Sequence, residues 1–543
     1  MILELFSIKS GQQVSEDYLH QFDLVKDLYA YNPWDNRCQV ERAAWLDQRG
    51  TLTADRNKLI TSLLSFNHRI GNAPEAIEQI EALRDPRTLV IVGGQQAGLF
   101  TGELLVMYKA ITILHAAKAA EKNLGRPVIP VFWIAGEDHD FDEVNHIQLV
   151  SPQQEISKIN LHLPDHTRTS ISRLQIPDWQ PVIDQLKEAL LDTEFKDDII
   201  HRLSLFAKTS TTLTELFAQM MAWLFGSQGL VLLDSDDPEL RMIEAPMFQR
   251  LIEEQETLSR SYKAGKINVE RLGYIPQADV NDQSTNLFVF DNKGERILLH
   301  RRGSEYTDRK GERSYSQEEL LQLLDNSPQS FSNNVLTRPL MQEFLFPVLA
   351  TVLGQGELAY WGLTKPAFES LEMQMPILLP RKSYTLVEGT VAKHMRKYHL
   401  TFDDVLYRFA IAKENWLTQQ DSLGLDRLFA ETKDKFRELY EPLVQTVASI
   451  NPGMAKLGNV NMMKILEQME FLEARSTDAY RSQFDASIRQ WDRIALSLVP
   501  AGKLQERSYN VLSYLVKYGD AWLQELIANP TDHWGTHQLV YIS

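Results

Sequence analysis

Short apolar runs and amphipathic stretches alternate along the first two thirds of the chain, and long amphipathic stretches dominate the last third. Five runs stand out, at residues 89–92, 128–134, 229–234, 346–353 and 375–379. Each has few polar residues and is rich in Val, Ile and Leu. That suits strands buried on both faces, as in a parallel sheet. Helical spacing follows the first run and returns at 213–225, 239–260 and 357–371. Strand–helix–strand units of this kind build open parallel sheets, whose ligands sit at the carboxyl ends of the strands. The pattern predicts an α/β core of about five parallel strands.

Two stretches break the alternation. Residues 147–215 are polar with short alternating pieces such as 156–163, and 238–345 carries β-like fragments at 286–290 and 296–300. Both read as insertions into the sheet domain. The N-terminal region reads as helical from residue 14 to 84, with breaks at Asn32-Pro33, Gly50-Thr51 and Gly71-Asn72. In the last third, Leu425, Phe429, Phe436, Leu439, Leu443, Val447 and Ile450 recur mostly every three or four residues. Asn451-Pro452-Gly453 interrupts the series, and a second one runs from Ile465 to Leu498. Two long amphipathic helices joined by such a turn make an antiparallel coiled-coil hairpin, which either packs against the body of the protein or protrudes and helps make a dimer. The expected organisation is a helical region over 1–84, the core over 85–384 with its two insertions, a coiled-coil domain over 385–500, and a segment 501–543 returning to the core.

Composition narrows the classes. Of 543 residues, 43% are hydrophobic and 24% charged, the balance of a folded protein with more than one domain. The net charge of −17 argues against nucleic acid as the main partner, because phosphate binding needs a basic surface. Cys38 is the only cysteine, so no internal disulfide and no multi-thiolate metal site can form. The N-terminal residues lack a basic start followed by an apolar stretch, and no run approaches the roughly 20 apolar residues of a membrane helix. A soluble cytoplasmic protein without a membrane partner is expected.

Two loops at the predicted sheet edge carry candidate chemistry. The first, Gly93-Gly94-Gln95-Gln96-Ala97-Gly98-Leu99-Phe100-Thr101-Gly102, follows the first run and precedes a helix. Glycines let backbone N–H groups approach an anion, and Thr101 fits an N-cap. Leu99 and Phe100 stand where a Walker A loop needs Lys and Ser or Thr, and the spacing is not that of a dinucleotide fingerprint. Lys109 lies about two turns into the helix. The second loop, residues 136–146, follows Trp133 and packs Glu137, Asp138, Asp140, Asp142 and Glu143 with His139 and His146. Carboxylates this close need solvent, protons or a cation: a substrate ammonium, a divalent metal, or basic side chains of the protein. Asp138 and His139 have the makings of an acid–base pair. His139 and His146 lack the i, i+4 spacing of zincin ligands.

Taken together, GQQAGLFTG at 94–102 and PVFWIAGEDHDFDEVNH at 130–146 resemble the bacillithiol biosynthesis cysteine-adding enzyme family. Arg381-Lys382-Ser383 after the last run, and Leu504-Gln505-Glu506-Arg507 after Pro500-Ala501-Gly502, extend the resemblance over the whole length. The resemblance implies a Rossmann-like core with two connecting-peptide insertions, similar in architecture to class I aminoacyl-tRNA synthetases, and a coiled coil that makes a homodimer. It also implies a reaction, addition of L-cysteine to the amine of glucosaminyl-malate.

Amide formation in water needs an activated carboxylate, so ATP or ADP is the nucleotide to consider; no metal or other cofactor is expected. The chain has neither a HIGH-type signature nor a full KMSKS loop, which leaves the activation step open. Under this reading Asp138, His139, Glu137 and His146 are the catalytic candidates. Gly94, Gln95, Gln96, Gly98, Thr101, Gly102, Lys109, Trp133, Arg381 and Lys382 are substrate-binding candidates, and Lys503, Arg507 and Asn510 are candidates for a nucleotide phosphate. The competing readings are a metal-dependent hydrolase built on Glu137, Asp138, His139 and His146, and a non-catalytic coiled-coil scaffold.

Overall fold

A computed structural model describes residues 2–9, 11–50, 53–163, 168–281, 283–420 and 423–542. Thr51, at one expected helix break, lies outside them. The chain forms two compact units, one of residues 1–386 with 505–543, the other of 387–504.

The five apolar runs form the central sheet of the first unit. Its strands are β1 (Leu89–Gln95), β2 (Val128–Ile134), β3 (Val231–Asp234), β4 (Val348–Leu353) and β5 (Ile377–Pro380). They lie in the order β5-β4-β1-β2-β3, every pair parallel. This is the Rossmann-like order, in which the chain reverses direction of travel between β1 and β4. Alternation along the strands feeds two cores. Ile91, Phe132 and Ile134 pack on one face with helix α1 (Leu104–Leu124) and helix α2 (Leu213–Phe225). Val90, Val92, Val131 and Trp133 pack on the other with helix α3 (Pro238–Glu253). Both faces are covered, which explains why the strands are apolar throughout.

The two insertions have their own structure. The first opens with an antiparallel hairpin of His146–Val150 and Ile156–Asn160. The second folds a five-stranded antiparallel sheet that includes Ser284–Phe290, Arg296–Arg302 and Phe331–Asn333. Strand Ile2–Phe6, which the sequence pattern did not disclose, pairs antiparallel with His537–Ile542.

The N-terminal helices hold to the sheet through a buried ion pair. Arg42, on helix Cys38–Gln48, is fully buried and its Nη2 lies 2.6 Å from Glu343 Oε2. Its Nε and Nη2 also donate to the carbonyl of Val348, the first residue of β4, and Nη1 donates to that of Gln374.

In the second unit, helices α5 (Leu425–Ile450) and α6 (Pro452–Ser482) form the expected hairpin, with Asn451 capping α6. Side chains at Leu425, Phe429, Phe436 and Val447 are half-buried, whereas Leu439, Leu443 and Ile450 are exposed. Val444 packs so closely on Gly458 that a Cβ there would lie 2.9 Å from its methyls. In the first unit, helix α4 (Gln355–Trp361) follows β4. Among the described residues no helix is long and apolar enough to cross a membrane.

Removing one partner of a buried ion pair strands the other. Arg42→Ala is therefore expected to destabilise the first unit by about 3–5 kcal/mol, read as a lower urea midpoint.

Candidate active site

The carboxyl ends of β1, β2, β4 and β5 open into a cavity of about 460 Å³, a size suited to a small metabolite. Gly94, Gln95 and Gln96 line it from β1, Glu137 and Asp138 from the loop after β2, Gly354 to Glu357 from the end of β4, and Arg381 from the end of β5. The cavity thus straddles the β1/β4 switch point, where this class of sheet binds its ligands. The second insertion adds Phe288, Arg296, Asn333, Asn334 and Arg338, and the C-terminal segment adds Arg507. Five cationic side chains (Lys109, Arg296, Arg338, Arg381, Arg507) therefore meet three carboxylates (Glu137, Asp138, Glu357), the reverse of the chain's overall acidity.

Several of these charges are already committed. Lys109 Nζ is buried and donates to Glu357 Oε2 at 2.5 Å, to the carbonyl of Gly94 at 2.7 Å and to Gln95 Oε1 at 3.0 Å, which uses all three of its hydrogens. Burial presses its pKa below the ordinary value, against the pull of Glu357. Glu357 also accepts from the N–H of Gly354, the N-cap residue of α4. Burial would raise its carboxyl, but Lys109 and Arg338 hold it below the usual range. The Arg381 guanidinium is gripped by both oxygens of Glu506, at 2.8 and 2.9 Å. Glu137 Oε2 accepts from Arg241 at 2.6 Å, and from Ser332 Oγ and the Asn333 N–H at 2.9 Å.

Asp138 stays ionised. Burial acts to raise its pKa, yet the hydrogen bond from Gln96 Nε2 at 2.7 Å and the charge of Arg296 bring it below the ordinary value. His139 has a different role from the acid–base partner expected. Burial, reinforced by Arg296, presses its pKa down to about 4, and its Nδ1 accepts from Arg296 Nη1 at 2.9 Å. A neutral imidazole with that nitrogen occupied orients a guanidinium.

Other expected site residues lie away from the cavity. The glycine loop closes on itself: the N–H groups of Gly98, Thr101 and Gly102 donate to the carbonyls of Gln96, Gly98 and Leu99. A Cβ on Gly98 would sit 2.8 Å from Gly102, and one on Gly94 would sit 2.6 Å from the Trp133 carbonyl. These glycines serve close packing, which corrects the reading of an anion-wrapping loop. Thr101 is not the cap of α1, whose N-cap is Glu103; it adopts φ +77°, a rare conformation for a β-branched residue. Asn510 fastens this strained turn by donating to the carbonyls of Phe100 and Gly102, in place of a nucleotide phosphate. Trp133 is fully buried in the core. Lys382 is buried outside the cavity, donating to the Thr531 carbonyl and meeting His115 Nδ1 at 3.1 Å. His146 starts the hairpin of the first insertion, half-buried, with Nδ1 facing Asn145 Oδ1. Lys503 belongs to the second unit and is exposed. Gly94, Gln95, Gln96, Lys109, Glu137, Asp138, Arg381 and Arg507 do come together.

Sequence reasoning missed Arg296, Asn333, Arg338, Glu357 and Tyr360. Only Glu357 left a trace, three residues after Gly354 at the close of an apolar run, the spacing of a helix cap. Among the described residues no group of three or more His, Cys, Asp or Glu side chains is arranged to hold a metal. Glu137 is bound to Arg241 and His139 to Arg296, so the residues assigned to a hydrolase do not converge.

A Rossmann-like domain with a charged cleft at its switch point, joined to a helical hairpin, is the class these observations define. The model of the bacillithiol biosynthesis BshC N-terminal Rossmann-like domain matches residues 1–382, and that of the BshC C-terminal coiled-coil domain matches 384–542. A protein of Symbiobacterium thermophilum named "Putative cysteine ligase BshC" is 34% identical over 97% of both chains. Proteins of the same name from Bacillus cereus and Bacillus anthracis are also 34% identical, over 89% and 99% of this chain and 90% and 100% of their own. The chain belongs to the BshC family of bacillithiol biosynthesis. A solved chain titled as a putative arginyl-tRNA synthetase from Campylobacter jejuni overlaps 80% of this chain and 98% of its own at 10% identity, with a TM-score of 0.21, too low to bear on the fold.

Asp234, at the end of β3, supplies a pH test of the site's frame. Its carboxyl is buried, accepts from Ser172 Oγ and the Asp236 N–H, and is raised to about 7 by burial and then by the charge of Asp236. The folded value lies above the unfolded one, near ~4, so the proton favours the folded state. That stability is complete below about pH 4 and is lost as pH rises through 7. Asp234→Asn should therefore gain on the wild type between pH 4 and 8, by roughly 2–4 kcal/mol, as followed by thermal melts across that range.

Proposed function

We propose that the protein is an amide-forming ligase that joins the carboxylate of L-cysteine to the amine of glucosaminyl-malate, giving bacillithiol. The observation that carries this reading is a metabolite-sized cleft at the switch point of a chain belonging to the BshC family along its whole length. The cleft offers what the reaction requires. Ionised Asp138, held by Gln96, pairs with the ammonium of an amine substrate, positions its nitrogen at the acyl carbon and takes up the proton that the nitrogen sheds before it attacks. Guanidinium groups neutralise carboxylates that would otherwise repel one another.

Activation of the cysteine carboxylate requires a group that leaves with its oxygen, and ATP is the source we propose. Arg507, exposed on the rim, is the residue placed to meet a phosphate. Every residue that lines the cleft belongs to the first unit. The hairpin of the second unit, with Leu439, Ile450, Leu457, Met463 and Phe471 exposed, is proposed to pair with a second copy of the chain, since an apolar stripe of this kind is stable in water only when covered.

Incubation of the pure protein with L-cysteine and glucosaminyl-malate, with and without ATP, should give a new thiol at the mass of bacillithiol only when ATP is present. No such product under either condition would refute the ligase reading. Asp138→Asn, which keeps the Gln96 contact but removes the charge, is expected to lower turnover at least a hundredfold while the melting temperature holds. Paired changes Leu439→Glu and Ile450→Glu should convert a dimer to a monomer in sedimentation velocity.

A further inference from the structure

One buried guanidinium of the cavity, Arg296, makes no direct ion pair with a described residue, and the carboxylates of Glu137 and Asp138 act on it only from a longer range. Arg296 is 9% exposed, its ring partner is Phe288 at 3.8 Å, and each of its contacts is neutral. Nε donates to Ser332 Oγ at 3.0 Å, Nη1 to His139 Nδ1 at 2.9 Å, and Nη2 to the carbonyl of Asn333. Among the described residues no carboxylate lies within ion-pair distance of it, whereas Lys109 and Arg381 each have one. Three acceptors use three of its five N–H groups and leave two unused. A buried charge that is balanced only at a distance is costly, and a fold that keeps one beside a cavity leaves a direct partner to be supplied by what enters.

Its neighbour shows the same deficit. Asn333 lines the cavity, is 1% exposed, and neither Oδ1 nor Nδ2 of its side chain has a hydrogen-bond partner. Its backbone, by contrast, is pinned at both ends, the N–H by Glu137 and the carbonyl by Arg296. Arg338, on the same wall, has an unpartnered Nε while its Nη2 is held by Tyr360 at 2.8 Å and pairs with Glu357 Oε1 at 3.4 Å. An amide with donor and acceptor both unused, flanked by two guanidinium groups, matches a specific chemistry. The donor and the cations take a carboxylate. The acceptor takes a neutral O–H donor, because an ammonium would be repelled by the two cations beside it.

We infer that Arg296 and Asn333, with Arg338 beside them, form the subsite for a hydroxylated carboxylic acid, the sugar-malate end of the acceptor substrate. His139 is a positioning residue for Arg296. The inference rests on the ligase reading for the identity of the acceptor, but the anion subsite itself rests on a guanidinium without a direct ion pair and on the unused Asn333 amide. It places acceptor recognition on the second insertion and leaves Asp138 and the core for the reacting amine.

Calorimetric titrations of the full-length wild type, Arg296→Gln and Asn333→Ala test it, using four probes: glucosaminyl-malate, methyl glucosaminide, free malate and L-cysteine. Arg296→Gln should weaken glucosaminyl-malate and malate at least thirtyfold and leave methyl glucosaminide and cysteine within twofold. Asn333→Ala should weaken glucosaminyl-malate about tenfold and leave cysteine unchanged. Asn333→Ala keeps both backbone bonds and breaks no ion pair, so it decides the matter if Arg296→Gln does not fold. Unchanged acceptor affinity in a folded variant, or a loss confined to cysteine, overturns the subsite. Arg296-dependent binding of malate by a wild type that ignores glucosaminyl-malate would uphold the anion subsite while removing the proposed acceptor.

Discussion

One oxygen of Glu137 joins the two halves of the cleft. It stands just past the end of β2, where the parallel sheet stops, and accepts from Arg241 of α3, from the Ser332 hydroxyl and from the Asn333 N–H. The core sheet and the antiparallel sheet of the second insertion meet at that point. A carboxylate that accepts three hydrogen bonds, one of them from a guanidinium, is a rigid anchor in a buried setting. The strand it holds carries the carbonyl that binds Arg296, and so the position of that guanidinium in the cleft follows from Glu137.

The cationic residues of the cleft divide by what holds them. Lys109 and Arg381 bridge the β1 and β5 ends to Glu357 and Glu506, and their charge stabilises the walls of the cavity. Arg296 is oriented by neutral acceptors, which fix its direction without spending its charge. Low polarity around such a group strengthens its attraction for an anion far beyond what a surface arginine achieves. A strongly acidic protein can in this way concentrate a small region of positive potential where an acidic metabolite is bound.

Much of the architecture was legible because burial on two faces leaves an unambiguous mark. All five sheet strands coincide with continuous apolar runs, and the hairpin follows from the spacing of Leu425, Phe429 and Phe436 before an Asn-Pro-Gly turn and of the series from Ile465 after it. The cleft was half legible. Asp138 and Gln96 sit in motifs next to strand ends, and topology alone places strand ends together. Arg296 and Asn333 come from a polar insertion whose strands lack the continuous apolar runs of the core, so nothing in their neighbourhood marks them as lining the cleft. The glycine loop misled for a definable reason. Glycine is required equally where a backbone meets an anion and where it meets another backbone, and here Gly94 meets Trp133 while Gly98 meets Gly102.

The first unit is discontinuous in the chain, interrupted by residues 387–504. Arg381 is made before that interruption and Glu506 after it, yet each is buried against the other. During synthesis the guanidinium at the floor of the cleft must wait, hydrated, until the whole helical hairpin has left the ribosome. The cleft is thus among the last parts of the molecule to set, and a chain cut short within the hairpin would carry its sheet with an open, unneutralised seam.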